Sequence, residues 1–226
     1  MVAGSLSDTM PAMFKVAVLL LLSLSVGFAQ LTAPPQKTRE QQALIKLYEM
    51  GYLIDTTKSS KVAINKQAIT AFQKVHKLKR TGLLANTVID SIMRSVVPTA
   101  DHLMNLFHVE VDLKRQVLFI VDSTNAVQTI VSVSTGNGKH FLYPDKGWRY
   151  AITPKGTFEV YYRVKGWRVS KLGLLYNPLY VVGGVAIHGA LDVPAVPASH
   201  GCIRIPFTAA DKLFSMISIG TPVLIY

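Results

Sequence analysis

Apolar residues change their spacing once along this chain, and that change limits the folds open to it. Between Arg39 and Ser95 they recur at helical intervals. Ala43, Leu44, Leu47 and Met50 mark one face, and Ala68, Ile69, Phe72, Val75 and Leu78 mark a second. Val88, Ile89, Ile92 and Met93 mark a third. Gly51-Tyr52 ends the first helix, since a glycine just past the last turn accepts a backbone conformation other residues resist. From Phe107 onward the interval becomes two: Phe107, Val109 and Val111 alternate with His108, Glu110 and Asp112. Further strands are expected at Gln116 to Val121, at Val127 to Ser134, and at Gly156 to Val164 with Phe158, Val160 and Tyr162 on one face. A long apolar strand is expected from Leu179 to His188, interrupted by Gly183-Gly184. Thr208 to Ile217 reads as a lone helix and Pro222 to Tyr226 as a closing strand. The pattern predicts an α+β multidomain protein. A small N-terminal helical bundle at 39–95 is followed by a linker at 96–105, around Pro98, and a mainly β, sandwich-like domain at 106–226.

Residues 1–29 read as a signal peptide. Lys15 supplies the positive start, Val16 to Val26 the apolar run, and Gly27-Phe28-Ala29 the small residues before a cleavage site after Ala29. The run falls short of the roughly 20 apolar residues of a spanning helix; a short membrane anchor is the alternative. The formal net charge of +11 favours polyanionic surroundings: nucleic acid, anionic lipid or a cell-wall matrix. No recognition-helix or aromatic-platform pattern supports nucleic acid, and the export signal argues against it.

An exported chain with one cysteine is unusual, because oxidising compartments use cysteines in pairs. That cysteine stands in Ser199-His200-Gly201-Cys202-Ile203-Arg204, and Ile187-His188-Gly189 lies upstream beyond a loop carrying Pro194 and Pro197. A free thiol, with a pKa near 8.5, is only about 3% ionised at pH 7. An adjacent histidine can act as base or ion-pair partner, and a pKa lowered to about 6 would make the thiolate dominant. Both His188 and His200 are candidates. An extended chain would put His200 and Cys202 on one face. Gly201 can adopt a turn that points amide N–H groups at an oxyanion. A buried structural cysteine and a metal site of His188, His200 and Cys202 are the competing readings. No HExxH or paired CxxC accompanies the metal reading.

Two stretches resemble known families. Leu44, Leu47, Gly51-Tyr52, Ala68-x-x-x-Phe72-Gln73, Leu78, Gly82 and Thr87 are similar to the three-helix peptidoglycan-binding-like module. The chain departs from that family at Thr56 to Lys61, where an Asp-Gly turn is usual. The His188-Gly189 and Ser199-His200-Gly201-Cys202-Ile203-Arg204 segments resemble the signature of the L,D-transpeptidase (YkuD-type) catalytic domain. Ile152-Thr153-Pro154-Lys155-Gly156-Thr157-Phe158 and the strand from Gly183 to Gly189 belong to the same likeness, which spans about 106–226.

The resemblance implies a mostly β fold and a peptidoglycan L,D-transpeptidase that needs no cofactor or metal. Cys202 would be the nucleophile, His188 the proton acceptor and donor, and His200 a support for thiolate or substrate. Gly183, Gly184, Gly201, Arg204 and Ser199 would bind substrate. Arg204 stands where the family often has Asn, and its fork of donors suits a stem-peptide carboxylate. Gly189 stands where the family often has Ser or Thr, so an orienting hydrogen bond to His188 must come from backbone or elsewhere. The implied partners are peptidoglycan stem peptides, glycan strands through the helical module, and carbapenem-type inhibitors. The implied location is periplasmic or extracellular, at the wall. An L,D-carboxypeptidase using the same Cys-His pair, and a non-catalytic wall-binding protein, are the alternatives.

Overall fold

The computed structural model describes residues 36–53 and 65–226. The signal-peptide reading of 1–29 and the departure at 56–61 lie outside the described residues. No helix among those residues is long and apolar enough to cross a membrane.

Three helices open the described chain: α1 (Arg39–Glu49), α2 (Lys66–Val75) and α3 (Asn86–Arg94). Thr38 and Gln41 form a capping box at the start of α1, each side chain accepting the other's backbone N–H. Gly51, at φ +90°, ends α1, and its carbonyl accepts from the Ile130 N–H at 2.9 Å. Lys46 Nζ donates to the Met93 carbonyl at 2.5 Å and ties α1 to α3. Met93 does not join the apolar face expected of it; it is 41% exposed, while Val88, Ile89 and Ile92 turn inward.

The strands are β1 (His108–Asp112), β2 (Val117–Val121), β3 (Val127–Ser132), β4 (His140–Tyr143), β5 (Gly147–Tyr150) and β6 (Gly156–Glu159). They continue as β7 (Tyr162–Arg163), β8 (Trp167–Ser170), β9 (Gly173–Val182), β10 (Val185–Ala190), β11 (Ile203–Pro206) and, after helix α4 (Phe207–Met216), β12 (Pro222–Ile225). One sheet runs β3-β2-β1-β12-β6; a second runs β11-β10-β9-β7, with β8 also paired to β9. Strands β4 and β5 form a separate hairpin.

The sequence Val117-Leu118-Phe119-Ile120-Val121 shows why the layers stack. Val117, Phe119 and Val121 pack with Leu47, Tyr52, Phe72 and Ile92 from the helical segment. Leu118 and Ile120 pack on the other face with Leu179, Ile187, Ile203 and Leu213. A strand covered on both faces has no wet side, so its apolar run is continuous rather than alternating. Residues 37–226 thus form one compact unit in which helices, first sheet, second sheet and α4 share buried surfaces.

The polar set on β1 is also buried. Glu110 accepts the backbone N–H groups of Asp101 and His102 at 3.1 and 2.9 Å, and the Tyr226 hydroxyl at 3.0 Å. The connection expected at 96–105 is therefore stitched to β1 by a carboxylate.

Two expected strands divide differently. Gly156 to Val164 is broken at Val160-Tyr161, where the chain passes from the first sheet to the second: β6 pairs with β12 and β7 with β9. Val160 is buried, while Tyr162 is 54% exposed. Leu179 to His188 is the end of one strand and the start of the next. Gly183-Gly184 is the tight turn of a β9–β10 hairpin, with Gly183 at φ +53°. The β4–β5 and β8–β9 hairpins were not expected; their exposed aromatic residues blur the alternation that marks a half-buried strand.

Lys74 of α2 is enclosed between the helices and the first sheet, 1% exposed. Its Nζ donates to Ser132 Oγ and to the Val133 and Gln116 carbonyls at 2.8, 2.8 and 3.1 Å. Burial, aided by Arg80, pushes its pKa down from the ordinary 10.5 to about 7. From about 7 to 10.5 the unfolded chain binds a proton the folded chain lacks, so stability rises with pH there and levels off below. Replacing Lys74 with Met removes this linkage. Denaturant titrations should show the stability of wild type relative to Lys74→Met climbing between pH 7 and 9, at up to about 1.4 kcal/mol per pH unit. A pH-independent difference would contradict the buried, titrating amine.

Candidate active site

The second sheet brings the two distant chemical segments side by side. Strands β10 and β11 pair in parallel, with Ile187 beside Ile203 and His188 beside Arg204. Ile187, Ile203 and Ile205 point into the core between the sheets. Strand alternation places His188 and Arg204 on the opposite face, together with Cys202 at the entry to β11.

Cys202 is half-buried. Its thiol donates to the Gly184 carbonyl at 3.8 Å, and the Ala186 N–H donates to the sulfur. The sulfur thus sits at the β9–β10 turn, where Gly183 and Gly184 are exposed. The Tyr161 hydroxyl donates to the Gly183 carbonyl and pins that turn. Burial pushes the Cys202 thiol up, with the Ala186 N–H and Arg204 pulling the other way.

His188 is 6% exposed. Its Nδ1 lies 3.0 Å from the carbonyl of Gly189. A carbonyl can only accept, so Nδ1 carries the proton and Nε2 is left with its lone pair. The backbone thus supplies the orienting bond that a Ser or Thr at 189 would otherwise be needed for. A larger residue would not fit: a Cβ on Gly189 would stand 2.7 Å from Ala210 Cβ of α4. Burial, with a smaller push from Arg204, lowers the His188 pKa to about 4. The resting pair at neutral pH is therefore neutral thiol and neutral imidazole, not the thiolate expected from the sequence. Burial penalises both charges, and His188 has Arg204 rather than a carboxylate beside it.

The loop before Cys202 is not extended. Gly201 has φ +138°, and a Cβ there would meet the Ile152 carbonyl oxygen at 3.0 Å. This bend removes the extended-chain reason for placing His200 with Cys202. The exposed His200 ring instead packs on Phe141 of β4, with centroids 4.5 Å apart. Ser199, expected at the substrate, is 1% exposed, and its hydroxyl is used within the loop. It accepts from the Gly201 N–H at 3.0 Å and donates to the Cys202 carbonyl at 2.5 Å. The Gly201 N–H is thereby spent on Ser199 rather than free for an oxyanion. Among the described residues no group of three His, Cys, Asp or Glu side chains is arranged to hold a metal ion.

Gly136 and Ser134 escaped the sequence reading, whereas Thr153 lies in the 152–158 segment of the family likeness, and Tyr176 and Tyr180 were both open to being read as a cover for the site. Thr153 accepts from the Gly136 N–H at 2.9 Å and donates to the Gly201 carbonyl at 2.7 Å, fixing the bend. Gly136 has no room for a side chain, because a Cβ would lie 2.3 Å from the Ala151 carbonyl oxygen. Ser134 exchanges backbone hydrogen bonds with Arg204 at 3.0 Å each way. Tyr180 lies within electrostatic reach of Cys202 and is hydrogen-bonded to Arg168. Tyr176 instead packs with Trp167 and Phe207 and donates to Asp211. Among the described residues no carboxylate forms an ion pair with Arg204.

Comparison with known proteins bears on the family of the chain. Residues 107–225 match the model of the YkuD family, the L,D-transpeptidase catalytic domain. No curated protein sequence gives a significant match. An L,D-transpeptidase from Xylanimonas cellulosilytica is 32% identical, with a TM-score of 0.77, over 86% of this chain and 100% of that one. An L,D-transpeptidase from Stackebrandtia nassauensis is 19% identical, with a TM-score of 0.48, over 86% of this chain and 93% of that one. A variant of the Enterococcus faecium L,D-transpeptidase is 25% identical, with a TM-score of 0.42, over 57% of this chain and 53% of that one. The family match over more than half the chain and the Xylanimonas likeness over most of it lead to one conclusion: this protein belongs to the YkuD family of L,D-transpeptidases.

Proposed function

We propose that this chain is an exported peptidoglycan L,D-transpeptidase that forms 3→3 cross-links through a thioester on Cys202. The observation that carries the reading is the placement of the partly exposed Cys202 sulfur at the Gly183-Gly184 turn, on the face of the parallel pair that also bears His188 and Arg204. Such a face offers a nucleophile, a base with a free ring nitrogen and an unpaired cation to one extended peptide.

The reaction runs in two halves. Cys202 Sγ attacks the carbonyl carbon of the L-centred third residue of a tetrapeptide stem while its proton passes to His188 Nε2. The tetrahedral adduct collapses, the bond to terminal D-alanine breaks, and His188 returns the proton to the departing amine. A thioester remains. An amine of a second stem then attacks it, loses its proton to His188, and expels the Cys202 sulfur, which regains a proton. Water in place of that amine gives L,D-carboxypeptidase activity. The Arg204 guanidinium holds a stem carboxylate, and the open Gly183-Gly184 turn lets the donor backbone approach. Residues 1–29 direct the chain out of the cytoplasm, to the wall.

Neutral partners suit this cycle, because the proton moves only when the carbonyl is in place. A thiolate held permanently by imidazolium would be more reactive towards stray electrophiles. The glycan-binding role of the helices is a separate matter.

Two experiments test the reading. Purified protein incubated with disaccharide-tetrapeptides should release D-alanine and yield dimers detectable by mass spectrometry, and a carbapenem should add its mass to the peptide bearing Cys202. Cys202→Ala should lose at least about a thousandfold in turnover, as expected when a covalent nucleophile is removed. Full activity in that variant would overturn the mechanism. The second test is the acid limb of the acylation rate. With His188 lowered to about 4, the rate should stay level from pH 7 down to about 5 and fall near 4. A break near 6.5, where an ordinary imidazole titrates, would show that the buried neutral base is wrong.

A further inference from the structure

The loop between the two chemical segments, residues 191–198, has no helix or strand of its own. Its backbone polar groups need partners from outside, and several come from the N-terminal helical segment. Gln67 Nε2, on α2, donates to the Val193 carbonyl at 3.0 Å. Arg80 Nη1, beyond the end of α2, donates to the Ala195 carbonyl at 3.0 Å, and Nη2 reaches the Lys114 carbonyl at 3.4 Å. The rest of the loop hangs on the chain beyond β3. Ser134 Oγ donates to the Val196 carbonyl at 2.8 Å, and the N–H groups of Ala198 and Ser199 donate to the Thr135 carbonyl at 3.0 and 2.9 Å.

That second anchor is itself held from the helical side. Lys74 grips Ser132, Val133 and Gln116, and Gln116 exchanges hydrogen bonds with the backbone N–H and hydroxyl of Thr135 at 2.9 and 2.7 Å. From Val193 to Ser199 the loop is thus suspended between two supports, one made by α2 and Arg80, the other steadied by α2 through Lys74. Its far end is Cys202, and its near end is the strand carrying His188.

We infer that the helical segment is a positioning device for acyl transfer, with Arg80 and Gln67 as positioning residues that set the reach between Cys202 and His188. The inference deepens the proposed transpeptidase reading and rests on it for its substrate. Neither residue touches the reacting atoms. Both act by fixing carbonyls of the loop whose end bears the sulfur. Freed of these bonds, the loop samples a wider range of positions, and a displacement of about 1 Å at a nucleophile can cost a hundredfold in rate.

The test uses the full chain and the variants Arg80→Met, Gln67→Leu, the double variant and Arg80→Lys. Methionine keeps much of the arginine stem and removes the donors. With tetrapeptide donor, Arg80→Met should lower kcat about tenfold, leave KM within about twofold, and keep Tm within a few degrees. Arg80→Lys, which can still donate to the Ala195 carbonyl, should recover most of that loss. Gln67→Leu should give a smaller drop, and the double variant a larger one. A merely structural contribution would lower Tm and the active fraction together without this split. A second measurement is independent of substrate: hydrogen exchange at the amides of Ala198 and Ser199 should quicken in Arg80→Met while exchange in β1 and β2 stays unchanged. If wild type turns over no tetrapeptide, the substrate reading fails and the exchange measurement alone decides the brace. Folded Arg80→Met and Gln67→Leu with wild-type kcat, or with unaltered loop exchange, would overturn the inference.

Discussion

Everything at this site depends on β10 and β11 running side by side in the same direction. Parallel neighbours cannot be joined by a tight turn; they need a long crossover. In most proteins that crossover is a helix, which satisfies its own backbone. Here it is a bare loop, so the surrounding structure must supply its hydrogen bonds. The same arrangement delivers a cysteine at the start of one strand and a histidine within its neighbour, on one face and a diagonal apart. Ser199, Thr153 and the tightly enclosed Gly201 then hold the last bend before the sulfur.

Burial decides the charge state of that pair. His188 is sheltered and close to a guanidinium; its bond to the Gly189 carbonyl favours the cationic form, but burial outweighs it. Cys202 receives help from one N–H and from Arg204, but the loss of water outweighs both. An argument from residue spacing alone assigns the sulfur a negative charge because a histidine is near in sequence. The folded environment puts that histidine, His200, on Phe141, which leaves the more distant His188 as the base of the proposed transfer.

The architecture was legible where one physical signal dominated. The interval of apolar residues located all three N-terminal helices, β1, β2, β3, β12 and α4, because each has a face or faces fully covered. The pairing of His188 with the Cys202 segment was legible from the motif. What stayed hidden depended on long-range packing. Nothing local marks Val160 as the residue where the chain changes sheets, or Gly183-Gly184 as a hairpin turn within an apolar run. The resemblance assigned Ser199 to the substrate; its burial follows from hydrogen bonds to Gly201 and Cys202 that only the bend creates. Arg80 carries no signature, since its partners are backbone carbonyls far away in sequence, and the likeness that includes Thr153 does not reveal its bond to the Gly201 carbonyl.

The double-sided burial of β2 bears on how such a chain could be assembled or rearranged in evolution. Beads on a string can be swapped, because each has its own closed surface. Here the first sheet has Val117, Phe119, Val121 and Ile130 beneath the helices. Stripped of that cover, the sheet would present a greasy, sticky plane beside the open edge of β3, the kind of surface that drives self-association. The helical layer is therefore closer to a roof than to an annex: shuffling it away would require rewriting the residues beneath it at the same time.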